Sequence, residues 1–462
     1  VSSARTRVPA GVPTTLTVTD PRTGDLVTTT AIADATACTA AVGRARGAFP
    51  QWSATPAAER AAALRVAADA VHAAARDLAA LNERETGKTA ADALGGVDAG
   101  VATLRQYAEL GPLHRGRALQ GQWDAIDLMV PQPRGVVAVL TPWNDPIAVA
   151  AGLLGAALVT GNTMVHKPSE RCPGTGRRFA ELLSAALPPG VLEIVDGDAT
   201  TGARLAGDPG VDVVAHVGSS GTGRAIARMC AERGATALLE NGGNDALIVD
   251  ADVDTGWAAG QAALGAFANA GQICVSVERI FVVAPAADRF LAELITEAQS
   301  WAARLGPLVD GRHREHVHRH VTDAVKSGAR LLCGGRPQPG PGTFYPPTVL
   351  AECTSDMLVM TEETFGPIAP VRIVPSFAAA LAEAADDRYG LAATVLTADM
   401  AHAQSAWRAL PVGTVKINAV FGGAPGGSAE PRRASGRGFG YGPELLDELT
   451  TTKVVHWSAP GS

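Results

Sequence analysis

No excess of positive charge runs through the 462 residues: 39 Lys and Arg stand against 46 Asp and Glu, for a formal net charge of -7. That balance offers no basic field for nucleic acid or an anionic membrane surface, and it leaves a small molecule or another subunit as the expected partner. Lysine is scarce, with only residues 88, 167, 326, 416 and 453, a bias that GC-rich coding accounts for. The six cysteines at 38, 172, 230, 274, 333 and 353 include no CxxC pair and no short spacing of the kind zinc sites use. Reduced thiols of a cytoplasmic protein are the expectation, and no metal site is assigned. The longest apolar run, residues 147–159, is too short to span a bilayer. "VSSARTRVPAG" has no apolar centre, so no signal peptide is expected there. Neither an internal repeat nor a low-complexity linker is visible.

Against those absences stands a hydrophobic content of 47% and enough length for about three lobes. Ala-rich amphipathic helices are expected over roughly 31–110. From Gly135 the pattern changes to short β-branched runs alternating with helical segments: "GVVAVLTPWN", the run 147–159, "NTMVHKPSE", "VLEIVDG", "VDVVAHV" and "ATALLE". A second alternating series follows Glu240. The expected class is α/β: a doubly wound parallel-sheet domain, a second α/β lobe and a small β arm. The boundaries are 1–117 and 136–240 for the first domain, with 425–448 returning to it, 241–424 for the second, and 118–135 with 449–462 for the arm. The arm segments "ALQGQWDAIDLMVPQPRG" and "TTTKVVHWSAP" read as exposed strands in need of a pairing partner.

Several residues stand where chemistry could occur. Asn144 of "TPWNDP" leaves a strand and enters a helix; it is either a turn residue or an N–H donor at that corner. Asp145 beside it is expected to cap the helix, with a role in attracting a cationic or hydrogen-bonding substrate as the alternative. Lys167 of "HKPSE" sits at a strand's carboxyl end, where open α/β sheets keep their ligand crevice, and Glu170 could accept from a ribose hydroxyl. In "HVGSSGTGRAIA" a glycine turn meets a helix start, which would leave backbone N–H groups and the Ser219 hydroxyl free for a pyrophosphate. Glu240 of "LLENGGND" and Cys274 of "NAGQICVSVER" are a candidate base and nucleophile, each with an ordinary structural alternative as a paired carboxylate or a core cysteine. His313, His316 and His320 of "HREHVHRH" fall on one helical face, read as solvated.

Taken together, "TPWNDP", "HKPSE", "HVGSSGTGRAI", "LLENGGN", "FANAGQICVSVER", "EETFGP" and a C-terminal "PGG…SGRG" resemble, in order and spacing, the aldehyde dehydrogenase superfamily over about 40–456. The resemblance implies Cys274 as nucleophile, Glu240 as general base, and Asn144 with the Cys274 N–H as oxyanion hole. It also implies contacts to a nicotinamide cofactor. Lys167 and Glu170 would hold the adenosine ribose, Ser219 the pyrophosphate, and Glu363 and Phe365 the nicotinamide half, with Thr141, Pro142, Trp143, Gly202 and Asn241 alongside. A small-molecule aldehyde is the implied substrate, and a homodimer or homotetramer joined through the arm is the implied assembly. Glu170 favours NAD over NADP, because a carboxylate accepts from a 2′-hydroxyl and repels a 2′-phosphate. Where relatives carry "ELGGK", this chain has Asn241 and Asn244; where they line the substrate passage with aromatics, it has Asp145 and Gly152. Coenzyme A-dependent acylation and cofactor-free ester cleavage by Cys274 are the alternative activities.

Overall fold

The computed structural model describes residues 14–423 and 427–459. The N-terminal stretch 1–13 and the first two residues of the C-terminal "PGG" lie outside the described residues.

Two sheets organise the chain. The first is ordered Gly436–Arg437, Thr236–Glu240, Val213–Val217, Val136–Leu140, Thr163–Lys167, Leu192–Ile194, and all its strands but the short first one run parallel. Its order reverses between Val136–Leu140 and Val213–Val217, and a crevice opens at the carboxyl ends of strands flanking such a reversal. Strand Val136–Leu140 is buried throughout: Val137 and Val139 face one apolar cluster, while Val136, Ala138 and Leu140 face another. Side chains alternate across a strand, so an unbroken apolar run requires helices on both faces. Helices Ala57–Ala73, Ala90–Leu110, Pro146–Val159 and Pro173–Ser184 cover one face, and Ala35–Ala54, Ala199–Gly207 and Ser220–Arg233 the other.

The second sheet is ordered Arg330–Cys333, Thr348–Ala351, Ile368–Val374, Val277–Val283, Asp245–Val249, Ala392–Leu396, Thr414–Ile417, with only the first strand antiparallel. Asp245–Val249 repeats the two-faced pattern: Ala246 and Ile248 enter one core, Leu247 and Val249 another. The α/β fold with parallel sheets is thereby established. Only residues 241–244 link the last long strand of the first sheet to the first strand of the second.

Three further features complete the fold. A hairpin of Thr15–Thr19 and Leu26–Ala31 precedes the helical region; its Thr-rich strands carry little apolar alternation. The two arm segments pair with each other: Thr450–Ser458 lies antiparallel to Ala125–Pro133 over nine residues, with Arg117–Leu119 on the far side. Finally, the helix before Cys274 stops at Phe267, and the chain then passes through left-handed backbone at Asn269, Ala270 and Gly271.

Candidate active site

The carboxyl ends of the first sheet face the loops before the second, and between them lies a cavity of about 450 Å³. Pro142, Trp143, Asn144, Ser219, Glu240, Asn241, Cys274, Glu363 and Phe365 all line it. Thr141 is buried just below, its hydroxyl 2.9 Å from His166 Nε2.

Cys274 ends a strained approach. Left-handed backbone at a residue with a Cβ costs of order 1 kcal/mol, and Ala270 adopts it with φ 55°. The turn is held by reciprocal bonds: Asn269 Nδ2 donates to the Gln272 carbonyl at 3.1 Å, Gln272 Nε2 to the Asn269 carbonyl at 3.0 Å, and the Ser276 hydroxyl to the Gly271 carbonyl at 3.1 Å. Asn144 Nδ2 also donates to the Gln272 carbonyl, at 3.2 Å, so one N–H fixes the amide and the other is left for a ligand. Burial pushes the Cys274 thiol up to about 12, aided by the Asp245, Glu240 and Glu363 carboxyls; the Val275 N–H opposes them.

Glu240 is the last residue of its strand. Burial raises its carboxyl to about 8, against the pull of the Gly440 N–H, which donates to Oε1 at 2.9 Å. Glu363 is likewise raised to about 8, by burial and by Glu278, and accepts from the Gly243 N–H at 3.2 Å. A Cβ at position 242 would lie 2.1 Å from Glu363 Oε2, so any side chain there would push that carboxyl aside. Asn241 and Asn244, the departures from "ELGGK", are buried and donate to the Ala434 and Met360 carbonyls at 3.2 and 3.1 Å. They hold this loop between the two lobes.

The loop of "EETFGP" rests on groups that sequence reasoning passed over. Glu278, buried and raised to about 7 by burial, accepts from the Thr364 and Phe365 N–H groups at 3.0 and 2.8 Å, and Phe365 takes the left-handed φ of 55°. The histidine face read as solvated packs against the same loop. His313 Nε2 lies 2.6 Å from the Phe365 carbonyl, His316 Nε2 3.3 Å from the Glu363 carbonyl, and His320 Nδ1 3.1 Å from the Thr364 hydroxyl. Burial lowers His313 to about 4 and His320 to about 3, which suits neutral rings in a wall. A histidine every three or four residues marks a face, and nothing local says whether protein or water covers it.

At the other end, Lys167 Nζ donates to the Pro168 and Gly197 carbonyls at 2.8 Å each and lies 3.6 Å from Glu170, while Gly202 covers its stem. The Ser219 hydroxyl is engaged as the helix cap, accepting from the Thr222 N–H at 3.3 Å, which leaves its own O–H able to donate. The Gly218 N–H is also taken, by the Glu240 carbonyl at 3.0 Å. First-turn N–H groups of a helix have no intrahelical partner, and those of Ser220 and Gly221 remain. Asp145, in turn, makes no capping bond, although it occupies the N-cap position. Its carboxylate turns instead toward Lys88, 3.6 Å away.

A doubly wound domain and a second α/β lobe enclosing a thiol and two carboxyls in their crevice have the build of a two-lobed α/β enzyme with a cysteine at its centre. Comparison with known proteins makes this specific. The aldehyde dehydrogenase family model matches residues 8–455, and the chain belongs to that family. It is 35% identical over 412 residues to the NADP(+) succinate-semialdehyde dehydrogenase of Escherichia coli, covering 87% of this chain and 86% of that one. It is also 35% identical over 427 residues to a betaine aldehyde dehydrogenase of Cereibacter sphaeroides, covering 88% and 86%. Among solved structures, the betaine aldehyde dehydrogenase of Staphylococcus aureus in complex with NAD+ superposes with a TM-score of 0.94 at 29% identity, over 97% of this chain and 92% of that chain. A lactaldehyde dehydrogenase gives 0.93 at 32%, over 96% of each.

Proposed function

We propose that this aldehyde dehydrogenase oxidises an aldehyde to its carboxylic acid through a thioester on Cys274, with NAD preferred over NADP. The observation that carries the reading is the shared cavity: Cys274, Asn144, Glu240 and Glu363 all open into it.

The surroundings fit a nicotinamide dinucleotide. Two carbonyls and Glu170 hold the Lys167 ammonium at a strand end, Gly202 lies over its stem, and a helix start and the Glu363–Phe365 loop line the cavity. Lys167 and Glu170 would take the adenosine ribose, the turn at Ser219 the pyrophosphate, and Glu363 with Phe365 the nicotinamide half. When bound, the dinucleotide supplies the hydride acceptor. Glu170 supports NAD, for the electrostatic reason given above.

The chain's own groups do the rest. Burial and three nearby carboxyls keep the thiol un-ionised at neutral pH, so attack on the carbonyl calls for a base to take its proton as the bond forms. Glu240, at about 8, is suited to that task. The developing oxyanion meets the second Asn144 N–H and the Cys274 N–H, each such donor being worth about 3 kcal/mol. Once that proton has passed to solvent, Glu240 deprotonates the water that cleaves the thioester, and the net change is aldehyde, NAD+ and water to carboxylate, NADH and two protons. Exposed apolar groups on the arm, Trp457 at 70% and Val454 at 65%, support assembly through that edge.

The test is aldehyde-dependent formation of NADH by the wild-type chain and by Cys274→Ala, with product analysis for acid against acyl-coenzyme A. Acid formation that Cys274→Ala abolishes is expected; an acyl-coenzyme A product, or ester cleavage with no cofactor requirement, would overturn the reading.

A further inference from the structure

Resting on the aldehyde-oxidising reading above, we propose that Glu278 is a positioning residue for the cofactor: its ionised carboxylate holds the Glu363–Phe365 loop in the shape that receives the dinucleotide, and its protonation loosens that hold. The arrangement begins four residues after Cys274. Strand Val277–Val283 runs parallel to Asp245–Val249, with Asp245 paired to Val277 and Ala246 to Arg279, so Glu278 is an extra residue with no partner across that ladder. A bulge of this kind re-aims a side chain. Here a buried carboxylate meets a loop far along the chain: Oε2 accepts from the Thr364 N–H at 3.0 Å and Oε1 from the Phe365 N–H at 2.8 Å.

Glu363 and Phe365, on either side of Thr364, line the cavity that holds Cys274, so whatever fixes these two amides fixes part of its wall. Phe365 has the left-handed φ of 55°, which a residue with a Cβ keeps only where its surroundings enforce it. His313, His316 and His320 hold the same loop from the helix opposite. Burial lowers all three rings, so they stay neutral near pH 7 and their grip does not change there.

Glu278 differs. Burial raises its carboxyl to about 7, against the two N–H groups and the Thr364 hydroxyl. Arg279, next along the strand, favours ionisation, but its guanidinium is engaged by the Asn244 carbonyl and by Asp387, at 2.8 Å each. Asp245 on the neighbouring strand is held well above the usual carboxylate range, Glu363 across the loop keeps its proton to about 8, and His320 stands behind the Thr364 hydroxyl. The Glu278 carboxylate therefore forms as the pH rises through about 7, ahead of Glu363. Ionised, it offers an acceptor oxygen to each amide; protonated, one oxygen becomes a hydroxyl and one of the two bonds weakens.

The experiment measures the dissociation constant of NADH by its fluorescence at pH 6 and pH 7.5, for the wild-type chain, Glu278→Gln and Thr364→Val. Wild-type affinity should rise about fivefold between the two values, as the ionised fraction grows. Glu278→Gln, which mimics the protonated acid, should bind at either pH about as weakly as the wild type does at pH 6. A role in packing alone would weaken binding in that variant and leave the wild-type pH dependence in place. Thr364→Val removes a donor to the carboxylate and should move the midpoint of the wild-type profile to higher pH; it decides the matter if Glu278→Gln shows no cooperative thermal transition. In the ligand-free wild type, amide exchange of the peptide carrying residues 363–366, corrected for its intrinsic pH dependence, should be slower at pH 7.5 than at pH 6. Wild-type binding that is flat with pH, a Gln variant that keeps the wild-type profile, or a midpoint unmoved by Thr364→Val overturns the proposal. Should the wild type bind no NADH at either pH, the reading of the function fails first and the proposal with it.

Discussion

The raised carboxyl of Glu240 dictates a pH profile. Only the ionised form can deprotonate water, and with the group at about 8 roughly one molecule in ten carries it at pH 7 and nine in ten at pH 9. A steady state limited by thioester hydrolysis should therefore accelerate about tenfold between those values, rising with pH because the base form accumulates above about 8. Glu240→Gln keeps the shape and can still accept from the Gly440 N–H, but removes the base. The steady-state rate should fall by about 10²–10⁴, the usual worth of a positioned base, and the alkaline rise should vanish. Rapid mixing separates the steps: because Glu240 also takes the thiol proton, the first turnover should release its NADH more slowly than in the wild type, followed by near arrest. A wild-type profile flat from pH 7 to 9, or a Gln variant that loses less than tenfold in the steady state, would refute the assignment. A variant with neither burst nor turnover would instead place Glu240 wholly in the first step.

Glu170→Ser should raise kcat/KM with NADP relative to NAD by tenfold or more, because the group 3.6 Å from Lys167 would no longer repel a 2′-phosphate; an unchanged ratio counts against NAD preference. Gly242→Ala places a methyl group 2.1 Å from Glu363 Oε2 and must displace that side chain, so the dissociation constant for NADH, followed by its fluorescence, should rise at least tenfold while the circular dichroism spectrum stays native. In the absence of ligands, Cys274 should react with iodoacetamide at pH 7.5 at least a hundredfold more slowly than a free cysteine, as burial holds its thiol near 12; mass spectrometry of the labelled peptide reads this directly.

How far the sequence reveals this arrangement depends on the range of the forces involved. Val136–Leu140 and Asp245–Val249 could be read because burial on both faces leaves an uninterrupted apolar run. Cys274, Glu240 and Asn144 were legible only as an ordered set, each motif alone being compatible with a cap, a turn or a core thiol. What escaped depends on contacts distant in the chain. Glu278 supports amides 86 and 87 residues away, and the histidine face meets a loop more than 40 residues on. The N-caps divide in the same way. Ser219 bonds the amide three residues ahead, as local rules require. Asp145 occupies the same kind of position, but a buried ammonium from another helix end competes for it and prevails.

That competition follows from how the two lobes meet. The first sheet offers its carboxyl ends to the crevice, where strand-end residues such as Lys167 and Glu240 project. The second sheet offers its amino ends, so Asp245 and the turn carrying Cys274 arrive from the opposite side. With residues 241–244 as the direct link, carboxyls from both sheets converge on one thiol and disfavour its ionisation, while burial raises Glu240 and Glu363 themselves. At neutral pH the thiol rests un-ionised beside a Glu240 that is ionised in only a minority of molecules. Reactivity then has to come from an arriving carbonyl that takes the sulfur's electron pair as Glu240 takes its proton, which ties activation of the nucleophile to the presence of its substrate.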